Sequence, residues 1–569
     1  MRSLLLLLLF VSCTHKVNIV SPSAHLLRSK YEAFGPKAMV TSQGEATTRA
    51  SLSTLKKGGN IIDAFVTASF SISVERPHST GIGGGGFLLF YNHKENKVYA
   101  FDFREIAPVM ATSGMYLTKK GQTQPLLSQE GALAIATPGL IAGLYDIHKR
   151  FGRLPWKDII QPAIHLARNG FPLYEQLHEA LKDRKQILRA DLEAASTFLL
   201  TDGSVPKLGT VILQENLAKT LEFIAENGRE AFYKGKVADA IIKVVRGKRG
   251  ILTLKDLRDY QMKERTPVNA NYKGLKIFSM PPPSSGGIHV IQILKMLEPH
   301  NLRGMGPQST SAVHLTANSM QRAFVDRATY LGDPDFNTVP VKQLLDKKYL
   351  ETLSREINTM TAMKAESLKP IPLLPYESSD TTHFSIADED GNMVASTQTI
   401  NGWFGSGVMA QGTGIILNNE MDDFAQKVGA QNLFGAVGGN NNLVQPKKRP
   451  LSSMSPTIIT KDNKPFMALG SPSGTRIITC VAQTILNSVE FEMPLFESVA
   501  ATRIHQQWQP DALKIEAPYL TDKVEKALKE KGHNIIHDKL GCSIQAIKRE
   551  KNKWTGVSDP RGEGLALGN

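Results

Sequence analysis

Between residues 47 and 74 apolar side chains recur at helical intervals, with one interruption at Gly58-Gly59 and a tight run of Ile61, Ile62, Ala64 and Phe65 after it. That periodicity predicts helix on both sides of the glycine pair. Gly81-Ile82-Gly83-Gly84-Gly85-Gly86 comes next, followed by strand-like runs at 87–91 and 97–103. From 139 to about 254 the pattern is mostly helical, punctuated by Pro155, Pro162 and Pro172. Pro281-Pro282-Pro283-Ser284-Ser285-Gly286-Gly287 has the composition of a turn leading into an apolar helix at 288–297.

At Thr381 the period changes. Residues 382–386 alternate, 388–392 have turn composition, and 393–399 are strand-like again, which predicts a hairpin. A second hairpin is expected from 456–460, a turn at 461–464, and 466–469, with helix returning at 476–487 and 524–531. Strands set between blocks of helical sequence predict layers of helix enclosing two sheets. Residues 21–36 are expected to form a polar connector. The Gly-, Asn- and Gln-rich stretch 427–449 is expected as a loop, serving either as a lid or as a surface excursion.

A chain of 569 residues has room for two intimately packed segments. Its 41% apolar and 21% charged content excludes wholesale disorder. A net charge of +14 raises nucleic acid as a partner, but the basic residues are scattered and only Lys447-Lys448-Arg449 is compact. The charge is therefore assigned to solvated surface and no nucleic-acid role is expected; attraction of anionic substrates or cell-surface polyanions is the alternative.

Met1-Arg2-Ser3 and the apolar run 4–11 are too short to span a bilayer and predict a secretory signal. The ending Phe10-Val11-Ser12-Cys13 looks like a lipoprotein signal, with Phe10 in place of the usual leucine. The expectation is a leader over 1–12, Cys13 as a lipidated first residue, export to the periplasm, and membrane attachment through that lipid. Cys480 and Cys542 have no zinc-ligand spacing and are expected as buried free thiols.

The candidate chemistry lies in Asp380-Thr381-Thr382-His383-Phe384-Ser385 and, farther on, Thr399-Ile400-Asn401-Gly402. A threonine hydroxyl is a poor nucleophile without an adjacent base. Cleavage before Thr381 would create one, because the freed α-amine, with a reference pKa of about 7.7–8.0, lies beside its own Oγ.

These residues resemble the γ-glutamyltransferase (γ-glutamyltranspeptidase) family of N-terminal-nucleophile hydrolases, and the resemblance covers nearly the whole chain after the leader. It is carried by the glycine loop, Phe101-Asp102-Phe103-Arg104-Glu105, Leu154-Pro155-Trp156, Asp326-Arg327 and Gly332-Asp333-Pro334-Asp335. Further along, Asn418-Asn419-Glu420-Met421-Asp422-Asp423-Phe424, Leu451-Ser452-Ser453-Met454-Ser455-Pro456 and Asp559-Pro560-Arg561 carry it too.

The resemblance implies an α+β fold, an αββα four-layer sandwich, and self-cleavage at Asp380–Thr381. The products would be a large subunit, 13–380, and a small one, 381–569, forming one integrated catalytic domain as a heterodimer. Thr381 is implied as nucleophile, Thr399 as the hydroxyl that orients it, and Arg104 with Ser452 and Ser453 as donors to the substrate's α-carboxylate. Asn401, Glu420 and Asp423 are implied as acceptors of its α-ammonium, with Asp422 a competitor for Asp423's role.

Ser473 and Gly474 fall where the family carries a Gly-Gly pair whose amides form the oxyanion hole, so Ser473 is a departure. Phe434 stands where some bacterial members carry a lid tyrosine. Glutathione and other γ-glutamyl compounds are the implied donors, and water, amino acids or dipeptides the acceptors. No metal and no cofactor is expected. The Gly81–Gly86 run lacks the Lys-Ser/Thr of a phosphate-binding loop and is expected as a tight turn beside the site; His505 is expected to be structural.

Two rival readings fit the same residues. One is a glutaryl-type acylase on the same fold, which would not need the ammonium acceptors. The other is a catalytically impaired surface lipoprotein binding polyanions, with Ser473 marking a dead site.

Overall fold

The structure, a computed structural model, describes residues 28–368, 381–430, 432, 433 and 435–569. The leader, Cys13, Asp380 and Phe434 lie outside the described residues.

Two seven-stranded sheets form the centre. One runs, edge to edge, through Leu565–Gly568, Met39–Ser42, Thr382–Ala387, Met393–Thr399, Gly85–Asn92, Lys97–Asp102 and Lys263–Arg265. The other runs through Glu32–Gly35, Lys553–Ser558, Gln545–Glu550, Lys464–Gly470, Thr457–Lys461, Leu275–Ser279 and Val268–Tyr272. Both hairpins expected from the sequence are present, with Thr382 opposite Gln398 in the first and Thr457 opposite Leu469 in the second.

The inner strands of the first sheet bury both faces, and the period of two divides their side chains between two cores. Leu88, Phe90, Phe384 and Ile386 pack against the helices Ile61–Glu75, Leu140–Phe151 and Trp156–Asn169. Phe87, Leu89, Tyr91, Met393 and Ala395 join the second core, with Met467, Leu469 and Trp554 of the other sheet and the helices Gly286–Leu297, Thr310–Tyr330 and Arg476–Val489. The layers therefore stack helix, sheet, sheet, helix: the α+β, αββα sandwich that the resemblance implied. Where the sheets face each other, polar groups are matched. His383 Nδ1 bonds to Thr397 Oγ1 at 2.8 Å, and Ser385 Oγ donates to the Gln545 carbonyl at 3.1 Å.

Three local expectations are corrected. Part of the supposed connector forms the edge strand Glu32–Gly35, pairing with Lys553–Ser558. Pro162 sits inside the helix Trp156–Asn169 rather than ending it. Cys480 and Cys542 are not free thiols but a disulfide, S–S 2.08 Å, across 62 residues of sequence. The cause is tertiary: the fold lays the helix Arg476–Val489 against the loop that enters the strand Gln545–Glu550, so spacing along the chain carried no signal. Among the described residues no helix is long and apolar enough to cross a membrane.

Candidate active site

Thr381 immediately precedes the strand Thr382–Ala387 and is 4% exposed. One step beyond the Thr382–Gln398 pair, the register sets it opposite Thr399, the last residue of the neighbouring strand. Thr399 Oγ1 accepts the Asn401 N–H at 2.8 Å, which fixes the hydroxyl at the strand end. Asn401 follows in the left-handed region, φ 74°, and its Nδ2 donates to the Asn419 carbonyl at 3.0 Å. The glycine run packs directly behind. A Cβ on Gly84 would stand 2.1 Å from the Thr399 carbonyl oxygen, so only glycine fits that approach.

A small pocket opens over these threonines. It is lined by Thr381, Thr399, Asn401, Arg104, Glu420, Asp423, Ser452, Ser453 and Gly474, nearly the whole implied set. Ser473 is buried next to Gly474, with φ 104° against 51° for the glycine. Asp422 does not line the pocket. It accepts Ser128 Oγ at 2.6 Å and the Leu433 N–H at 2.7 Å, and burial pushes its carboxyl up to about 6. The geometry thus separates it from Asp423, which faces the cavity.

Arg104, 1% exposed, donates through Nη1 to Glu420, through Nη2 to Asp423, and through Nε to the Pro450 carbonyl at 3.3 Å. Burial works against its charge, but Glu420, Asp423 and Glu105 outweigh that and hold the guanidinium above its ordinary range. The same burial raises all three carboxyls, Glu105 to about 7, with Arg104 opposing the rise in each case. The groups implied as receptors for a carboxylate and for an ammonium therefore pair with one another here.

Arg327, from the helix Thr310–Tyr330, also lines the pocket and was given no role at the level of sequence, although Asp326-Arg327 was among the resembling stretches. Its Nη2 donates to Ser453 Oγ and its Nε to Ser285 Oγ, both at 3.0 Å, and burial lowers it to about 10. The loop 427–449 contributes Asn432, which donates to Asp423 Oδ1 at 2.7 Å, and Ala436. His505 is outside the pocket lining and bonds to Thr479 and Gln507, both at 2.9 Å. No cluster of potential metal ligands occurs among the described residues.

The chain is similar to known proteins over most of its length. The chain is 40% identical to the glutathione hydrolase proenzyme of Escherichia coli (strain K12), over 92% of this chain and 90% of that one. Among solved structures it is similar to the cephalosporin acylase of Bacillus halodurans, with TM-score 0.84, 26% identity and 99% coverage of both chains. It also resembles Helicobacter pylori gamma-glutamyltranspeptidase, TM-score 0.56 and 37% identity over 57% of this chain and 93% of that one. Residues 47–569 match the model of the Gamma-glutamyltranspeptidase family, and the chain, an enzyme of the N-terminal-nucleophile hydrolase fold, belongs to that family.

Proposed function

We propose that the protein is a self-processing γ-glutamyl hydrolase and transferase acting on glutathione and related γ-glutamyl amides. The observation that carries this reading is the pocket in which Thr381 and Thr399 lie beside groups suited to both charges of a free glutamate head, Arg104, Ser452 and Ser453 for the carboxylate and Asn401, Glu420 and Asp423 for the ammonium.

In the precursor, Thr381 Oγ attacks the Asp380 carbonyl carbon. The resulting ester is opened by water, leaving 13–380 and 381–569 as two chains of one domain. In the mature enzyme the Thr381 α-amine takes the Oγ proton and Oγ adds to the γ-carbonyl of the donor. The amides of residues 473 and 474 hold the oxyanion, and the protonated amine then gives its proton to the leaving amine, such as that of cysteinylglycine. Water releases glutamate from the acyl-enzyme; an amino acid or dipeptide carries away a new γ-glutamyl bond. A bidentate guanidinium suits the α-carboxylate, and the ammonium takes the place of Arg104 on Glu420 and Asp423. Export through the leader, with a lipid on Cys13, places this chemistry outside the cytoplasm.

The structural likeness to a cephalosporin acylase favours one other reading, a glutaryl-type acylase. Parallel assays on γ-glutamyl and glutaryl anilides decide between them. Turnover of the γ-glutamyl compound alone supports the proposal, and preference for the glutaryl compound overturns it. A denaturing gel and N-terminal sequencing of the purified protein test the cut before Thr381, and a single uncut chain that is still active removes Thr381 from the mechanism.

A further inference from the structure

Ser473 carries a Cβ at φ 104°, a backbone conformation that glycine adopts far more readily than serine. Arg476 holds it locally, its N–H donating to the Ser473 carbonyl at 3.0 Å and its Nη1 reaching Ser473 Oγ at 3.5 Å, and a further hold comes from a segment distant in sequence. Ser473 Oγ donates to the Leu540 carbonyl. Two residues earlier in the same loop, Ser471 Oγ accepts the Ser543 N–H at 3.2 Å. Between those two contacts Cys542 is bonded to Cys480, in the helix Arg476–Val489 that the loop enters. Segment 540–543 is thus fastened to the loop at residues 471 and 473 and to the helix that follows it, and its other side is anchored as well. The Leu540 and Gly541 N–H groups donate to Glu516 Oε1 at 2.8 and 3.3 Å, and the Cys542 carbonyl accepts Arg503 Nη1 at 3.1 Å.

We propose that Ser473 is a positioning residue, and that segment 540–543, clamped by the Cys480–Cys542 disulfide, is a strap holding the 470–475 loop in the conformation that aims its amides at the reacting carbonyl. The kinetic consequence rests on the assignment of the 473–474 amides as oxyanion donors. Such donors act on the charge that develops in the transition state, so a loosened strap lowers kcat and leaves KM nearly unchanged.

The test uses the processed enzyme, with steady-state kinetics on a γ-glutamyl anilide and amide hydrogen exchange of peptides covering 470–476. Ser473→Ala keeps the Cβ and loses the tie, and is expected to lower kcat roughly tenfold, short of the 10²–10³ that follows outright removal of a donor, with KM within about twofold. Ser473→Gly loses the tie but also the steric cost, and falls between Ala and the parent. The Cys480→Ala/Cys542→Ala enzyme loses kcat severalfold in the parent but less than about twofold when combined with Ser473→Gly, because the Ser473–Leu540 tie is already absent and only the Ser471–Ser543 contact is left to loosen. Exchange at 470–476 rises in Ser473→Ala and in the cysteine double variant. Unchanged exchange in both, or strictly additive kinetic effects, overturns the strap. Faster exchange with kcat intact supports the strap and overturns the oxyanion assignment instead. Should Ser473→Ala fail to mature, exchange in the cysteine double variant carries the test.

Discussion

At the scale of single residues, the pocket is a problem of buried charge. Two guanidiniums, Arg104 and Arg327, share it with Glu420 and Asp423, Glu105 lies buried behind Arg104 at 3.9 Å, and burial opposes the charged form of every one. Lysine at 104 would keep the charge but lose the fork that reaches Glu420 and Asp423 together. Arg104→Lys is therefore expected to raise KM for a γ-glutamyl anilide roughly 10- to 100-fold, the cost of one or two charge-assisted hydrogen bonds. Thr381→Ala is expected to give a single full-length band on a denaturing gel and no turnover, since Oγ serves both the cut and the reaction. A third prediction concerns pH. Burial pushes the Asp388 carboxyl up to about 6, from about 3.9 in an unfolded chain. The folded state holds that proton more tightly, so the group's favourable contribution is full below about pH 4 and is lost as pH rises through about 6. The melting temperature of Asp388→Asn relative to the parent should therefore climb between pH 4 and 6 and level off above, by an amount not exceeding about 3 kcal/mol in stability.

At the scale of elements, the site is made by strand ends and by the close approach of a loop. Gly84 lies against the Thr399 carbonyl, and a methyl group there meets backbone at 2.1 Å. Gly84→Ala should displace Thr399, destabilise the fold by about 1–3 kcal/mol and slow maturation, followed as the rate at which the precursor band disappears. The two hairpins and the helix Ile61–Glu75 were legible because each is a local pattern closed by turn residues or by a cap, as with Asn60 accepting from Ile62 and Asp63. The strands Val268–Tyr272 and Gln545–Glu550 were not. In the first, Asn269 and Asn271, residues that favour turns, interrupt Val268, Ala270 and Tyr272; in the second, the charged end Lys548-Arg549-Glu550 hides the buried residues 545–547. Both become strands because neighbours supply the pairing, and propensity gives way to that context.

At the scale of the whole molecule, the residues before and after the 380–381 bond are not two bodies. The C-terminal strand Leu565–Gly568 pairs with Met39–Ser42, and Thr382–Ala387 inserts beside that same strand, so both sheets are woven from both segments. Separating the segments would break strand pairs and open both cores. The cleaved halves should therefore elute as one species in non-denaturing size-exclusion chromatography and part only on a denaturing gel; elution as two species would contradict the interleaved topology.

The amino-acid sequence alone determined the alternation of helix with hairpin, the layered class of the fold and the identities of most residues lining the pocket, because periodicity is local and ordered motifs survive without coordinates. Only the tertiary structure decided the rest. It separated Asp423 from Asp422, neighbours in sequence whose side chains take opposite directions, brought Arg327 to the cavity from a helix about fifty residues upstream of Thr381, and joined Cys480 to Cys542. Direction and distance between segments remote along the chain depend on how two sheets stack, and no spacing along a single chain records that.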